Sequence, residues 1–212
     1  MIVDVLEPDH PDRMAAENFI HDRFGIVYGA DLSHYMPHII RLQSREAEPI
    51  AFVGYRDAAH HSLFVEHYFD SPIEEIVSKC MGQTVSRAEI VEVGNLADAH
   101  PGGARAAITA LTAYLYGAGF RWVVFTGVPR LRNAFYRLGL EPVKVADADP
   151  SRLTADEKQE WGRYYQVGPN VMAGDIHEGY WALEFTRDVL QPLWESALDV
   201  GAVQAEKRNA HG

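Results

Sequence analysis

From Ala88 to Val145 the chain alternates apolar strand patterns with amphipathic helix patterns, and no other feature constrains its fold as much. AEIVEVGNL, Ala88 to Leu96, is rich in Ile and Val and reads as a strand interrupted at Gly94, where a bulge or the close approach of another backbone is the usual reason. AHPGGAR leads into a helix whose Ala104, Ile108, Leu111 and Leu115 form a stripe, ending at Gly117 and Gly119. FRWVVFT, Phe120 to Thr126, is almost continuously apolar, as expected of a strand buried on both faces. Pro129 opens a second helix with Leu131, Ala134, Phe135 and Leu138 on one face, Gly139 closes it, and Pro142 to Val145 gives a further strand. Strand, loop, helix, strand, helix, strand specifies an α/β architecture.

The flanking segments are less regular. Pro11 to Phe24 is predicted as a helix with Ala16, Phe19, Ile20 and Arg23 on one face and Gly25 as its stop. His38 to Gln43 and Ile50 to Tyr55 read as a hairpin joined by SREAEP, and Ser71 to Met81 as a short helix ended by Gly82. Beyond Asp147 the pattern gives a helix from Thr154 to Tyr165, irregular chain through GPNVMAGD and a strand from Tyr180 to Phe185. No repeat or linker divides the chain, so residues 1–190 are expected to form one domain and residues 191–212 a polar, fraying tail.

No run approaches the roughly 20 apolar residues of a membrane span, and MIVDVLEPDHPDR lacks a signal-like apolar core. With Cys80 as the single cysteine, the expectation is a cytoplasmic protein. A net charge of −11 argues against a nucleic-acid partner. Yet Ala99 to Leu140 contains no Asp or Glu while carrying Arg105, Arg121, Arg130, Arg132 and Arg137, a distribution that suits an anionic ligand. His60, His61 and His67 sit in a polar loop without an accompanying Cys, and no metal site is expected of them.

A glycine loop entering a helix offers unpaired backbone N–H groups and the positive end of the helix dipole to a phosphate. His100, Gly102, Gly103, Ala104 and Arg105 occupy that place. This order, closing on FYRLGL, resembles the acyl-CoA-binding core of the GNAT (N-acetyltransferase-like) superfamily. More closely, VEVGNLADAHPGGAR, WVVFTGVPRLRNAFYRLGL, ADPSRL and WGRYYQVGPNVMAG, with FVEHYFD ahead of them, resemble the thermostable hemolysin-like family of bacteria. The resemblance implies a single-domain, GNAT-like mixed sheet flanked by helices, related in fold to acyl-homoserine-lactone synthases. It also implies N-acyl transfer to a small-molecule amine from a phosphopantetheine thioester, with no tightly bound cofactor.

Two departures from the common GNAT pattern stand out. Arg105 replaces the small residue of the phosphate loop, which points away from a coenzyme A diphosphate and toward a donor presenting one phosphate, as an acyl carrier protein does. Phe135, four residues before Gly139, stands where many GNAT enzymes carry a tyrosine that protonates the leaving thiolate, and Tyr136 lies about 100° around the helix.

Attack of an amine on a thioester calls for a base or an orienting acceptor. Glu92 is the first candidate, on the face shared with Gly94, and pairing with Arg87 or another arginine is its equal alternative. Asn95 binds substrate or an oxyanion, or else caps the turn. Glu66 is a candidate for an acceptor pocket or an exposed strand face; Trp161, Tyr164 and Tyr165 either cover the site or pack a helix. The rival functions are a membrane-active hemolysin and a non-catalytic binder of an acyl carrier or metabolite.

Overall fold

The computed structural model describes residues 1–211. Its strands are β1 (Ile2–Leu6), β2 (His38–Gln43), β3 (Pro49–Asp57), β4 (Ile90–Asp98), β5 (Trp122–Gly127), β6 (Val143–Asp147) and β7 (Asn170–Asp175). They form one mixed sheet in the order β1-β2-β3-β4-β5-β7-β6, antiparallel throughout except where β4 runs parallel to β5. That pair is joined by the crossover helix α3 (Gly103–Gly117), as parallel neighbours require.

Helices cover both faces. α1 (Arg13–Tyr28) packs on Leu6, Ile39, Phe52 and Ala97, and α2 (Ile73–Met81) lies over Ile90, Trp122 and Val124 on the same side. α3 covers the other face, against Ile40, Val53, Val91 and Val93. The weak alternation of HIIRLQ follows from this layering: Ile39 and Ile40 point to opposite faces and both are fully buried. α4 (Pro129–Arg137) follows β5 with Pro129 in its first turn.

Several segments differ from their sequence patterns. Gly25 does not stop α1, which runs on to Tyr28 and is capped by Gly29 in the left-handed region at φ 64°. Arg13, rather than Arg23, lies buried on that helix, donating to the carbonyls of Leu6, Met36 and Pro37. The 154–165 helix is shorter, α5 (Ala155–Glu160) with a Thr154–Glu157 capping box, and a separate 3-10 turn follows over Tyr164–Val167.

GPNVMAGD is not irregular. It supplies β7, inserted between β5 and β6, with Val171, Met172 and Ala173 all buried so that no alternation remains to be read. The strand expected over Tyr180 to Phe185 is instead part of two short helices, α6 (Ile176–Ala182) and α7 (Glu184–Val189), the first started by the Asp175 carboxylate accepting from the amides of His177 and Glu178. β1 was not apparent from the sequence; it completes the sheet edge beyond β2.

The largest correction concerns the expected tail. Gln191–His211 is a helix, α8, packed on α3 as part of the same domain. Leu193, Trp194 and Ala197 are buried, and Gly201 sits so close to α3 that a Cβ there would lie 2.2 Å from the Tyr114 carbonyl oxygen. The Arg208 guanidinium then fastens the far end, donating to the carbonyls of Ala118 at 2.7 Å and Ala88 at 2.9 Å, with its carbon 3.7 Å from the Phe120 ring centroid. Among the described residues no helix is long and apolar enough to cross a membrane.

Gly201→Ala is expected to push α8 off α3 and cost about 1–3 kcal/mol by overpacking. Urea unfolding of the variant checks this, and a chain truncated after Leu190 should lose its cooperative transition rather than behave like the parent without a tail.

Candidate active site

The functional geometry begins where two strands part. β4 and β5 pair only from Ile90 and Trp122 to Val93 and Phe125, whereas β4 stays paired with β3 as far as Asp98, and β5 with β7 as far as Gly127. A bulge accompanies the parting: Asn95 and Leu96 lie between the pairs Gly54–Gly94 and Phe52–Ala97, opposite Val53 alone, and Asn95 has φ 51°. Gly94 lies beside this bulge, which is the first of the two reasons expected for a glycine here; what approaches it is the end of the Met36 side chain, with Cε 2.8 Å from where a Cβ would stand, and not another backbone. Beyond Val93 the β5 side of β4 has no strand partner. Across the gap the Tyr164 hydroxyl donates to the carbonyl of Thr126 at 3.1 Å.

A cavity of about 560 Å3 fills this opening, bounded by α1, the 34–36 segment, β4, the end of β5, α4 and the 161–165 turn. It lies within the size range of small-molecule sites. Glu92, Asn95 and Ala104 line it, as do Trp161, Tyr164 and Tyr165; Glu66 does not. Gly103 is buried next to Asp98, and the exposed His100, Gly102 and Arg105 flank the first turn of α3 without lining the cavity.

Glu92 is 2 % exposed, and both its oxygens are engaged: Oε2 accepts from the Phe64 amide at 2.8 Å and Oε1 from the Val65 amide at 2.9 Å. Its cationic partner is Arg56, with Nε 3.5 Å from Oε2, placed there by the Arg56–Glu92 register of β3 and β4. Arg87 is elsewhere, bonded to Glu66 and Glu74, and holds the Glu66 carboxyl down at about 2. Burial pushes the Glu92 carboxyl above its usual range despite Arg56 and the two amides. The Asn95 side-chain oxygen accepts from the Met36 amide at 3.0 Å, tying the bulge to the segment that roofs the cavity.

The glycine loop is partly self-satisfied. The Gly103 amide donates to His100 O at 2.9 Å, and those of Arg105 and Ala106 donate to Gly102 O at 3.1 and 3.2 Å. Of the five arginines in the acid-free stretch, Arg121 pairs with Asp175 and Arg132 bonds Asn170, while Arg105, Arg130 and Arg137 make no ion pair among the described residues. Of these three, Arg130 lines the cavity, on the first turn of α4.

Phe135 stacks on Phe125 with ring centroids 4.9 Å apart, and Tyr136 is 52 % exposed, so neither brings a hydroxyl to the cleft. Hydroxyls come from the opposite wall, where Tyr68 and Tyr165 share a 2.5 Å bond and burial pushes Tyr165 up to about 12. Of the three histidines, His60 and His61 both meet Asp57, through its carboxylate and its backbone carbonyl respectively, and His67 meets the Phe64 carbonyl. Sequence reasoning missed Arg56, Tyr68 and Met36. Only the strand register and the fold of the 34–36 segment bring them to the site.

The family model for thermostable hemolysin matches residues 6–180. The chain belongs to the thermostable hemolysin family. No curated protein matches it in sequence. Solved structures similar to this family member share the GNAT-like fold at low identity. An acyl-homoserine lactone synthase described as CoA-dependent, BjaI, solved with SAM and isopentyl-CoA, has a TM-score of 0.60 at 11% identity, covering 90% of this chain and 89% of its own. FeeM, an N-acyl amino acid synthase from uncultured soil microbes, has a TM-score of 0.57 at 13% identity, covering 86% and 99%. The AHL synthase LasI has a TM-score of 0.56 at 12% identity, covering 87% and 94%.

Because burial raises the Glu92 carboxyl, the folded chain holds a proton that the unfolded chain has released between the ordinary carboxylate range and the raised value. Stability tied to this group is therefore full at low pH and is lost as pH rises through the raised value. Urea midpoints compared at about pH 5 and about pH 8 should fall more steeply for the parent than for Glu92→Gln. Asn95→Ala, which strands the buried Met36 amide, should cost about 1–3 kcal/mol in the same measurement.

Proposed function

We propose that this thermostable hemolysin family member is an N-acyltransferase, moving an acyl group from a phosphopantetheine thioester to an amine. The observation that carries the reading is the parting of β4 from β5 after Val93 and Phe125 over a cavity lined by the free edge of β4. An extended pantetheine arm has amides spaced like a peptide's, so it pairs with a strand edge as an added strand would. Support also comes from the shared fold of FeeM and the lactone synthases, which are described as an N-acyl amino acid synthase and acyl-homoserine lactone synthases, products that carry an acylated amine.

In this reading the arm enters along Gly94–Leu96 and leaves its phosphate near Ala104 and Arg105, with Arg130 as a second cation. The amides engaged within the 100–106 turn leave a cradle better suited to one phosphate than to a diphosphate, which favours an acyl carrier protein over coenzyme A as donor. The exposed, unpaired arginines suit an acidic carrier surface. Glu92 works by position: its carboxyl, held by two amides, fixes Arg56 at the cavity wall beside the acceptor. Asn95 keeps the bulge in shape. The amine nitrogen attacks the thioester carbonyl carbon, the carbon–sulfur bond breaks, and the proton shed by nitrogen ends on the departing thiolate.

Thiol release from acyl-CoA and from acyl carrier protein, scored against a panel of amines, tests the reading; no turnover with either donor would overturn it. Arg105→Glu and Arg130→Glu should each raise the donor KM about tenfold, or about 1.4 kcal/mol, with little change in kcat.

A further inference from the structure

A second cavity, of about 240 Å3, lies between α3, α4, α6, β5 and β7. Val93, Leu111, Phe125 and Phe135 line both cavities, so a partition one side chain thick divides them. Phe125 and Phe135 close it by stacking, their planes 22° apart. Beyond the rings the wall is largely aliphatic, with Leu115, Val123, Leu140 and Ile176, and the far end is bordered by the exposed Glu141 and Ala182.

Two glycines keep this space open. Gly174 of β7 and Gly179 of α6 both line it, and neither has a positive φ. A Cβ at Gly174 would meet Val123 Cγ1 at 3.5 Å, and one at Gly179 would meet Leu140 Cδ2 at 3.4 Å, both ordinary contacts. Backbone geometry and packing therefore leave room for a side chain at either place. Within a helix such as α6, glycine even costs about 1 kcal/mol relative to alanine. What the two residues supply is volume next to the aromatic partition.

Resting on the acyl-transfer reading above, we propose that this second cavity receives the distal part of the donor's acyl chain and that the Phe125–Phe135 pair sets how much of the chain passes. The donor is then a medium- or long-chain thioester rather than an acetyl one. The carbonyl end lies by Gly94–Leu96, the chain turns toward α4, and it enters the aliphatic channel where the Phe135 ring turns off its stack on Phe125, since the 4.9 Å between the stacked rings admits no chain. Phe135 fits this role better than a tyrosine would, because a hydroxyl at the partition would be desolvated by the passing chain.

Calorimetric binding of S-acyl 4′-phosphopantetheines from acetyl to tetradecanoyl, without amine, tests the assignment with the phosphate that Arg105 and Arg130 are placed to meet. Affinity of the parent protein should rise about fourfold per methylene through the medium chain lengths. Gly179→Leu, which fills the channel, should lower the dodecanoyl-to-butanoyl affinity ratio roughly tenfold or more, the equivalent of two lost methylene contacts. Gly174→Val gives the same reading from the strand side if the first variant does not fold. A length dependence that neither filled variant alters, or none in the parent, overturns the channel assignment and leaves the acyl-transfer reading standing. Failure of every thioester to bind overturns that reading itself.

Discussion

The early end of the β4–β5 ladder is the constraint on which the site depends. Two parallel strands that stayed paired to Asp98 and Gly127 would leave no cavity and no free strand edge. The bulge at Asn95 and Leu96 absorbs an extra residue against Val53, and it is held by the Asn95–Met36 hydrogen bond. Opposite, Tyr164 satisfies the carbonyl that the parting leaves on Thr126. Each unpaired backbone group in a buried place must find such a partner or face a ligand. The cavity is the part of this accounting that the protein's own side chains leave open.

The rest of the molecule holds that opening in place. Glu92 ties β4 to the 64–65 amides and, through Arg56, to β3, so three elements meet at one buried carboxylate. The charge is expensive to bury, and its pKa rises accordingly. On the opposite face α8 presses α3 against the sheet and is latched by Arg208, which fixes the helix that carries the glycine loop.

The core was legible in the sequence because its periodicities are strong: the β4, α3, β5 and α4 patterns occupy their expected places, and Gly94 marks the bulge that was one of the two reasons expected for it. The failures have a common physical origin. β7 is buried on both faces and flanked by Gly, Pro and Asn, so it looks like a loop. α8 has almost no amphipathic signal, because small residues such as Ala197 and Gly201 make its contact with α3. Arg56 and Tyr68 are ordinary residues in their own segments. Only pairing across the sheet and packing of the 64–68 turn bring them beside Glu92 and Tyr165. Chain-local patterns specify elements, whereas this site is made between elements.

The central claim is that the free edge of β4 binds the pantetheine arm. Amide hydrogen exchange with and without a non-hydrolysable acyl-pantetheine thioether tests it most directly. Protection should rise at Gly94–Leu96 on binding, while the paired residues Ile90–Val93 stay as they were. A ligand that binds and protects other segments while leaving Gly94–Leu96 unchanged would contradict the account.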